Sequence, residues 1–197
     1  MEYKLNEIFY SIQGEGANAG MAAIFIRFSG CDMTCDFCDT DHRHRTSFDE
    51  EMILMVLRTY PCREVILTGG EPLAQDLSAL LLVLRKNGYW VGIETNGNLM
   101  KAGSCADWLR GVARPNWITV SPKVNGFDYV FRPDEIKIIY PTRLNLEEIE
   151  SLSIASQVIQ PCDGPNLQEN TEQAIAFVKE HPAWRLSVQV QKYIGVR

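Results

Sequence analysis

Apolar residues in this chain come in short unbroken runs separated by longer amphipathic stretches. Runs rich in branched and aromatic residues lie at Ile8–Ile12, Ala23–Phe28, Glu64–Leu67, Trp90–Ile93, Trp117–Val120, Asp134–Tyr140, Gln157–Ile159 and Trp184–Gln189. Such runs suit strands of a largely buried sheet. Helical segments are predicted over Phe48–Tyr60, with Met52, Leu54, Met55, Val56 and Leu57 as its apolar stripe, and over Asp76–Asn87. Two more follow at Leu146–Ser151 and at Asn170–Glu180, the latter with Ala174, Ile175, Phe177 and Val178 turned inward. Pro61 and Gly88 close the first two helices. The alternation predicts about six βα units around a parallel sheet. A closed eight-unit barrel takes about 250 residues, and this chain has 197. The fold class is therefore α/β, an incomplete (βα)6 TIM-like barrel in one domain over 1–197. Its active site is expected at the C-terminal ends of the strands.

Candidate chemistry concentrates on one of those ends. Cys31, Cys35 and Cys38 follow the second strand, with three and then two residues between them. Thiolates are soft ligands that suit zinc or an iron–sulfur cluster. Three of them can hold a cluster with one coordination site open, the arrangement that catalysis needs. His42 offers a fourth ligand for a closed zinc site, although it lies in a charged run, Asp41 to Arg45, of the kind that is usually solvated. Cys62, Cys105 and Cys162 are scattered and read as buried or incidental thiols.

Composition narrows the class. Hydrophobic residues at 46% and charged residues at 22% describe an ordinary globular chain. The net charge of -6 argues against a nucleic-acid partner. The first residues carry no apolar signal segment, and the longest aliphatic run, Leu80–Leu84, is too short to cross a membrane. Clustered cysteines without a signal point to reduced thiols and a cytoplasmic protein.

Other strand ends are polar and glycine-bearing. Gln13-Gly14-Glu15-Gly16 either presents an amide and a carboxylate to a small molecule or forms a surface turn. Arg27, a cation inside an apolar strand, needs either a bound anion or an internal salt bridge. In Thr68-Gly69-Gly70-Glu71-Pro72 the glycines expose backbone and Glu71 is placed to grip an amine.

Together these motifs resemble the radical S-adenosylmethionine superfamily, whose fold is a partial barrel. The cysteine spacing, Phe37 before the last cysteine and Thr68–Pro72 carry that likeness. Phe9–Gly16, Phe25–Cys31, Cys38-Asp39-Thr40, Glu94–Gly97, Ser121–Lys123, Gln160-Pro161 and Leu186–Gln189 narrow it to the 7-carboxy-7-deazaguanine synthase family. The resemblance implies a lyase of queuosine-precursor synthesis. It would contract 6-carboxy-5,6,7,8-tetrahydropterin to 7-carboxy-7-deazaguanine and release ammonia. The cofactors implied are a 4Fe-4S cluster on Cys31, Cys35 and Cys38, S-adenosyl-L-methionine, and Mg²⁺ on Thr40. By the same matching Ile12, Gln13, Gly14, Arg27, Thr68 and the Arg197 carboxylate meet the pterin. Phe37, Gly70, Ser121, Pro122, Lys123 and Gln160 meet S-adenosylmethionine. An electron donor such as flavodoxin or ferredoxin and a homodimer are also implied, with no nucleic acid and no membrane.

One position departs from the family pattern. The family commonly reads Gln-Thr-His-Lys where this chain has Gln189-Val190-Gln191-Lys192. Glutamine hydrogen-bonds but does not titrate. The alternatives are another small radical S-adenosylmethionine enzyme, activase-like or acting on a different heterocycle, and a zinc-stabilised binding module.

Overall fold

The computed structural model describes residues 1–101, 114–129 and 132–197. Cys105 lies outside the described residues. Among the described residues one nine-stranded sheet runs β3-β1-β2-β4-β5-β6-β7-β8-β9. Its strands are β1 (Tyr3–Ile12), β2 (Ala22–Phe28), β3 (Thr46–Phe48), β4 (Glu64–Gly69), β5 (Trp90–Thr95), β6 (Trp117–Val120), β7 (Glu135–Tyr140), β8 (Ser156–Pro161) and β9 (Arg185–Leu186). From β2 through β9 every pairing is parallel, whereas β1 and β3 add an antiparallel edge. The sheet is open, its strand order not closing on itself. The α-helices among the described residues are α1 (Glu50–Leu57), α2 (Ser78–Lys86), α3 (Leu146–Ser151), α4 (Leu167–Glu180) and α5 (Val190–Ile194).

Residue parity along the strands sets what faces where. Ile24, Ile26 and Phe28 of β2 join Val65 and Leu67 of β4, Val91 and Ile93 of β5, and Ile136 and Ile138 of β7 in the main core. The alternate residues face the concave side. Phe9, Ala23, Phe25 and Ile66 form an apolar floor there, with the Phe9 and Phe25 rings stacked at 5.0 Å. Continuing the same rows toward the strand ends gives Arg27, Thr68, Glu94 and Lys137. Register places Arg27 directly beside Thr68. The interior is thus apolar below and polar above.

Several boundaries and faces differ from the sequence expectation. Helix α1 starts at Glu50 because Asp49 caps it, accepting from the Met52 N–H, while Phe48 belongs to β3. Its buried face is Ile53 and Leu57, one helical repeat apart; Met52 and Met55 are exposed. On α4, Ala174 is buried and Phe177 and Val178 pack on the core, but Ile175 faces solvent. The predicted strand over Trp184–Gln189 is only Arg185–Leu186, and α5 follows it.

Candidate active site

The cysteine loop leaves β2 and is stitched at once to the turn after β4. Gly70 N–H donates to Phe28 O at 3.1 Å and Glu71 N–H to Gly30 O at 2.9 Å. The paired glycines permit this approach. A Cβ on Gly69 would stand 2.4 Å from the Phe28 backbone, and one on Gly70 would stand 1.8 Å from Gly30 O. The turn after β5 holds the loop from the other side. Asn96 Nδ2 and Asn98 Nδ2 each donate to the Asp32 carboxylate at 2.8 Å.

Glu71 does not grip an amine, contrary to the sequence reading. Its carboxylate is fully buried and accepts from Leu73 N–H at 3.0 Å, Thr95 Oγ1 at 2.6 Å and Asn96 N–H at 2.8 Å. Burial pushes its carboxyl up to about 7, and the three donors offset that only in part. Glu71 therefore ties the β4 turn to the β5 turn from behind the site.

A cavity of about 560 Å³ opens on the concave side, within the size range of small-molecule sites. Cys31, Cys35, Cys38 and Thr40 line one end. Phe37, Gly70, Ser121, Lys123 and Gln160 line the wall beside them, and Pro122 is buried behind, shaping the turn without reaching the cavity. Lys123 Nζ donates to Ser121 Oγ at 2.8 Å and stands 5.4 Å over the Phe37 ring. Burial, with Lys137 nearby, draws the Lys123 ammonium down to about 8. Ile12, Gln13, Gly14, Arg27, Thr68 and Arg197 line the remainder. Cys162 lines it too, and Cys62 is buried, its thiol directed at Glu64.

The Gln13–Gly16 stretch is not a surface turn. It runs inside the curve of the sheet and joins the first strands to the last. Gly16 N–H donates to Ser187 Oγ at 2.9 Å and Ala17 N–H to the buried Glu135 carboxylate at 2.7 Å. Gln13 Nε2 donates to Glu94 Oε1 at 2.7 Å, and Thr68 Oγ1 donates to Glu94 Oε2 at 3.1 Å. Arg27 has its internal salt bridge, from Nε to Glu7 at 2.9 Å, and lines the cavity as well. Arg197 pairs with the same Glu7, and both guanidinium groups lie over the Phe9 ring.

Glu94, Asp39 and Gln189, quoted above only inside motifs, line the cavity too, as does Lys137, which no motif marks. Lys137 carried the signal that exposed Arg27, a cation among the apolar residues of a strand. Its Nζ lies 2.5 Å from Glu15 Oε2, with the two side chains 9% and 14% exposed, so this pair is largely shielded from water. Burial pushes the Glu15 carboxyl up, but Lys137, Gln189 and Gln191 outweigh it and hold it at about 2.

The thiols suit a cluster better than a zinc ion. Among the described residues no three His, Cys, Asp or Glu side chains close on one ion position. His42 gives its backbone carbonyl to Gly30 N–H at 3.0 Å. In a cubane cluster each thiolate binds a different iron, so the sulfurs stand further apart than around one zinc. Three soft donors on one loop, beside a cavity with polar walls, fit a cluster that leaves one iron to a small-molecule ligand.

An open, mostly parallel α/β sheet with this cysteine loop at its C-terminal rim defines a radical S-adenosylmethionine protein, and the profile of the Radical SAM superfamily matches residues 25–150. The likeness is closer still to one family. The chain is 40% identical over 197 residues to the 7-carboxy-7-deazaguanine synthase of Bacteroides thetaiotaomicron, covering all of both chains. It is 38% identical over 220 residues to that of Bradyrhizobium diazoefficiens, again covering all of both. The crystal structure of QueE from Escherichia coli superposes with a TM-score of 0.73 at 29% identity, covering 96% of this chain and 95% of that one. The chain belongs to the 7-carboxy-7-deazaguanine synthase family. Full-length likeness of this kind sets aside the activase-like and zinc-module alternatives.

Proposed function

We infer that this protein is a radical S-adenosylmethionine lyase that converts 6-carboxy-5,6,7,8-tetrahydropterin to 7-carboxy-7-deazaguanine with loss of ammonia, in queuosine-precursor synthesis. The observation that carries the reading is that one cavity is lined by both sets of residues. The three thiols, Ser121, Lys123 and Gln160 share it with a polar cluster of Gln13, Arg27, Thr68 and Glu94. Substrate and products balance without a net oxidant, since the product and ammonia together account for the pterin. A cluster on Cys31, Cys35 and Cys38, with S-adenosylmethionine bound, supplies the radical chemistry.

The chain's own groups bind and orient. Glu94 accepts from both Gln13 and Thr68 and so fixes their side chains toward one ligand face. Arg27, held through Nε by Glu7, keeps its remaining N–H donors for a carboxylate such as that on the pterin. Lys123, above Phe37, suits the carboxylate of S-adenosylmethionine. Burial of Phe9 and Phe25 keeps water from the floor beneath the substrate.

Mg²⁺ at Thr40 is part of this proposal. Thr40 Oγ1 lies 3.3 Å from Asp39 Oδ1, a hard-oxygen pair that substrate oxygens and water would complete. Thr40→Ala is expected to lower Mg²⁺-dependent turnover at least tenfold, on the order of one lost metal ligand, while the visible cluster spectrum is unchanged. Loss of that spectrum would place Thr40 in the cluster site instead. A flavodoxin or ferredoxin as reductant, a homodimer, one domain over 1–197 and a cytoplasmic location complete the proposal. One continuous sheet supports the single domain, and among the described residues no helix is long and apolar enough to cross a membrane.

A further inference from the structure

Helix α5 buries no side chain of its own. A five-residue helix has no independent stability, so whatever seats it must come from outside. Its seat is polar. Val190 N–H donates to Gly14 O at 3.0 Å. Gln189 Nε2 and Gln191 Nε2 donate to the same oxygen, Glu15 Oε1, at 2.8 and 3.1 Å. Lys192 Nζ reaches Asp39 at 3.0 Å and Asp163 at 2.5 Å. Gln189 Nε2 also approaches Asp39 Oδ2 at 3.2 Å. Beyond α5, Val196 and Arg197 line the cavity, and Ser11 Oγ donates to Arg197 O at 2.6 Å.

Packing supports the same junction independently. A Cβ built on Gly14 would lie 1.7 Å from Gln191 Oε1. That oxygen is buried without a hydrogen-bond partner. The glycine is needed because the Gln191 backbone nitrogen, 2.7 Å from such a Cβ, cannot swing aside as the amide end could. Gln191 thus packs its amide oxygen against the backbone of the proposed pterin loop and holds Glu15 through Nε2, while the Val190 N–H makes the hydrogen bond to that loop.

We propose that Glu15 is a positioning residue that latches α5 and the residues after it over the substrate side of the cavity, acting through Gln189 and Gln191. The functional part of this proposal rests on the pterin reading above. Lys137 occupies Oε2 and leaves Oε1 for the two glutamines. The latch joins three segments distant in sequence: the loop at Ile12–Gly14, the Asp39-Thr40 pair and the chain from Gln189 to Arg197. It also gives Gln191 a role that needs no titrating ring.

The test uses the reconstituted holoenzyme and two double variants. Glu15→Met with Lys137→Met removes the acceptor and its counter-charge together, so no buried charge is left unpaired. Gln189→Ala with Gln191→Ala removes both amide donors to Glu15 and keeps the ion pair. Backbone hydrogen exchange over residues 189–197 is expected to accelerate in both, with the exchange of β4 and β5 unchanged. The glutamine variant is expected to raise KM for the pterin about tenfold with kcat within about twofold, the loss of the amide hydrogen bonds to Glu15 and Asp39 acting on a closing segment. Parent-like exchange over 189–197 in the glutamine variant overturns the latch, even if the methionine variant does not fold. Failure of the parent holoenzyme to turn over the pterin would overturn the substrate reading alone, because exchange still decides whether the latch exists.

Discussion

An alanine at Gly70 is expected to abolish retention of the cluster. The added Cβ would stand 1.8 Å from Gly30 O and 2.5 Å from Gly30 C. Both are backbone atoms of the residue before Cys31, so no side-chain rotation relieves the contact. The loop cannot move aside cheaply, because Gly70 N–H and Glu71 N–H bond the backbone at Phe28 and Gly30. Forcing one extra carbon into a packed site typically costs about 1–3 kcal/mol, and here the strain falls on the ligand loop. Iron and sulfide analysis after anaerobic reconstitution checks this. Parent-like iron content in Gly70→Ala would show that the loop tolerates displacement.

Glu71→Ala is expected to destabilise the whole chain by about 3–5 kcal/mol, since it strands several buried donors at once. Leu73 N–H, Thr95 Oγ1 and Asn96 N–H all lose their acceptor. The β4 and β5 turns carry the cysteine loop from two sides, so cluster retention should fall with stability. Denaturant unfolding of the reduced, cluster-free protein measures the effect without the cofactor. A change below about 1 kcal/mol, within the reach of ordinary substitutions, would mean that water replaces the carboxylate.

Much of the site was legible because parallel sheets gather their strand ends on one rim. Cys31, Cys35, Cys38, Thr68, Gly70, Ser121, Lys123 and Gln160 all fall there, as strand-by-strand reading expects. Arg27 announced itself as a charge among apolar residues, and Lys137 carries the same signal. Glu71 was misread because a turn carboxylate looks the same in sequence whether it faces a ligand or two neighbouring turns. The path of Gln13–Gly16 was not legible either. Its partners, Glu94, Glu135, Lys137 and Ser187, are 81 or more residues away, and local composition says nothing about which strands a loop will cross. Helix α5 was missed for a related reason: it has no buried face, so no apolar period marks it.

Gln191 bears on the substrate as well as on the latch. It stands where the family resemblance leads one to expect a histidine, and in this structure its amide holds Glu15 through Nε2 while its oxygen only packs against Gly14. A function for this chain that requires a titrating side chain at that position is therefore excluded, whereas ring contraction with a hydrogen-bonding residue there is not.

The central claim is tested most directly by anaerobic incubation of the reconstituted protein with 6-carboxy-5,6,7,8-tetrahydropterin, S-adenosylmethionine, Mg²⁺ and a reductant, followed by mass spectrometry. The expected result is 7-carboxy-7-deazaguanine and ammonia in equal amounts, with S-adenosylmethionine regenerated over many turnovers. A protein that carries its full iron content and cleaves S-adenosylmethionine, yet leaves this pterin unchanged, would contradict it.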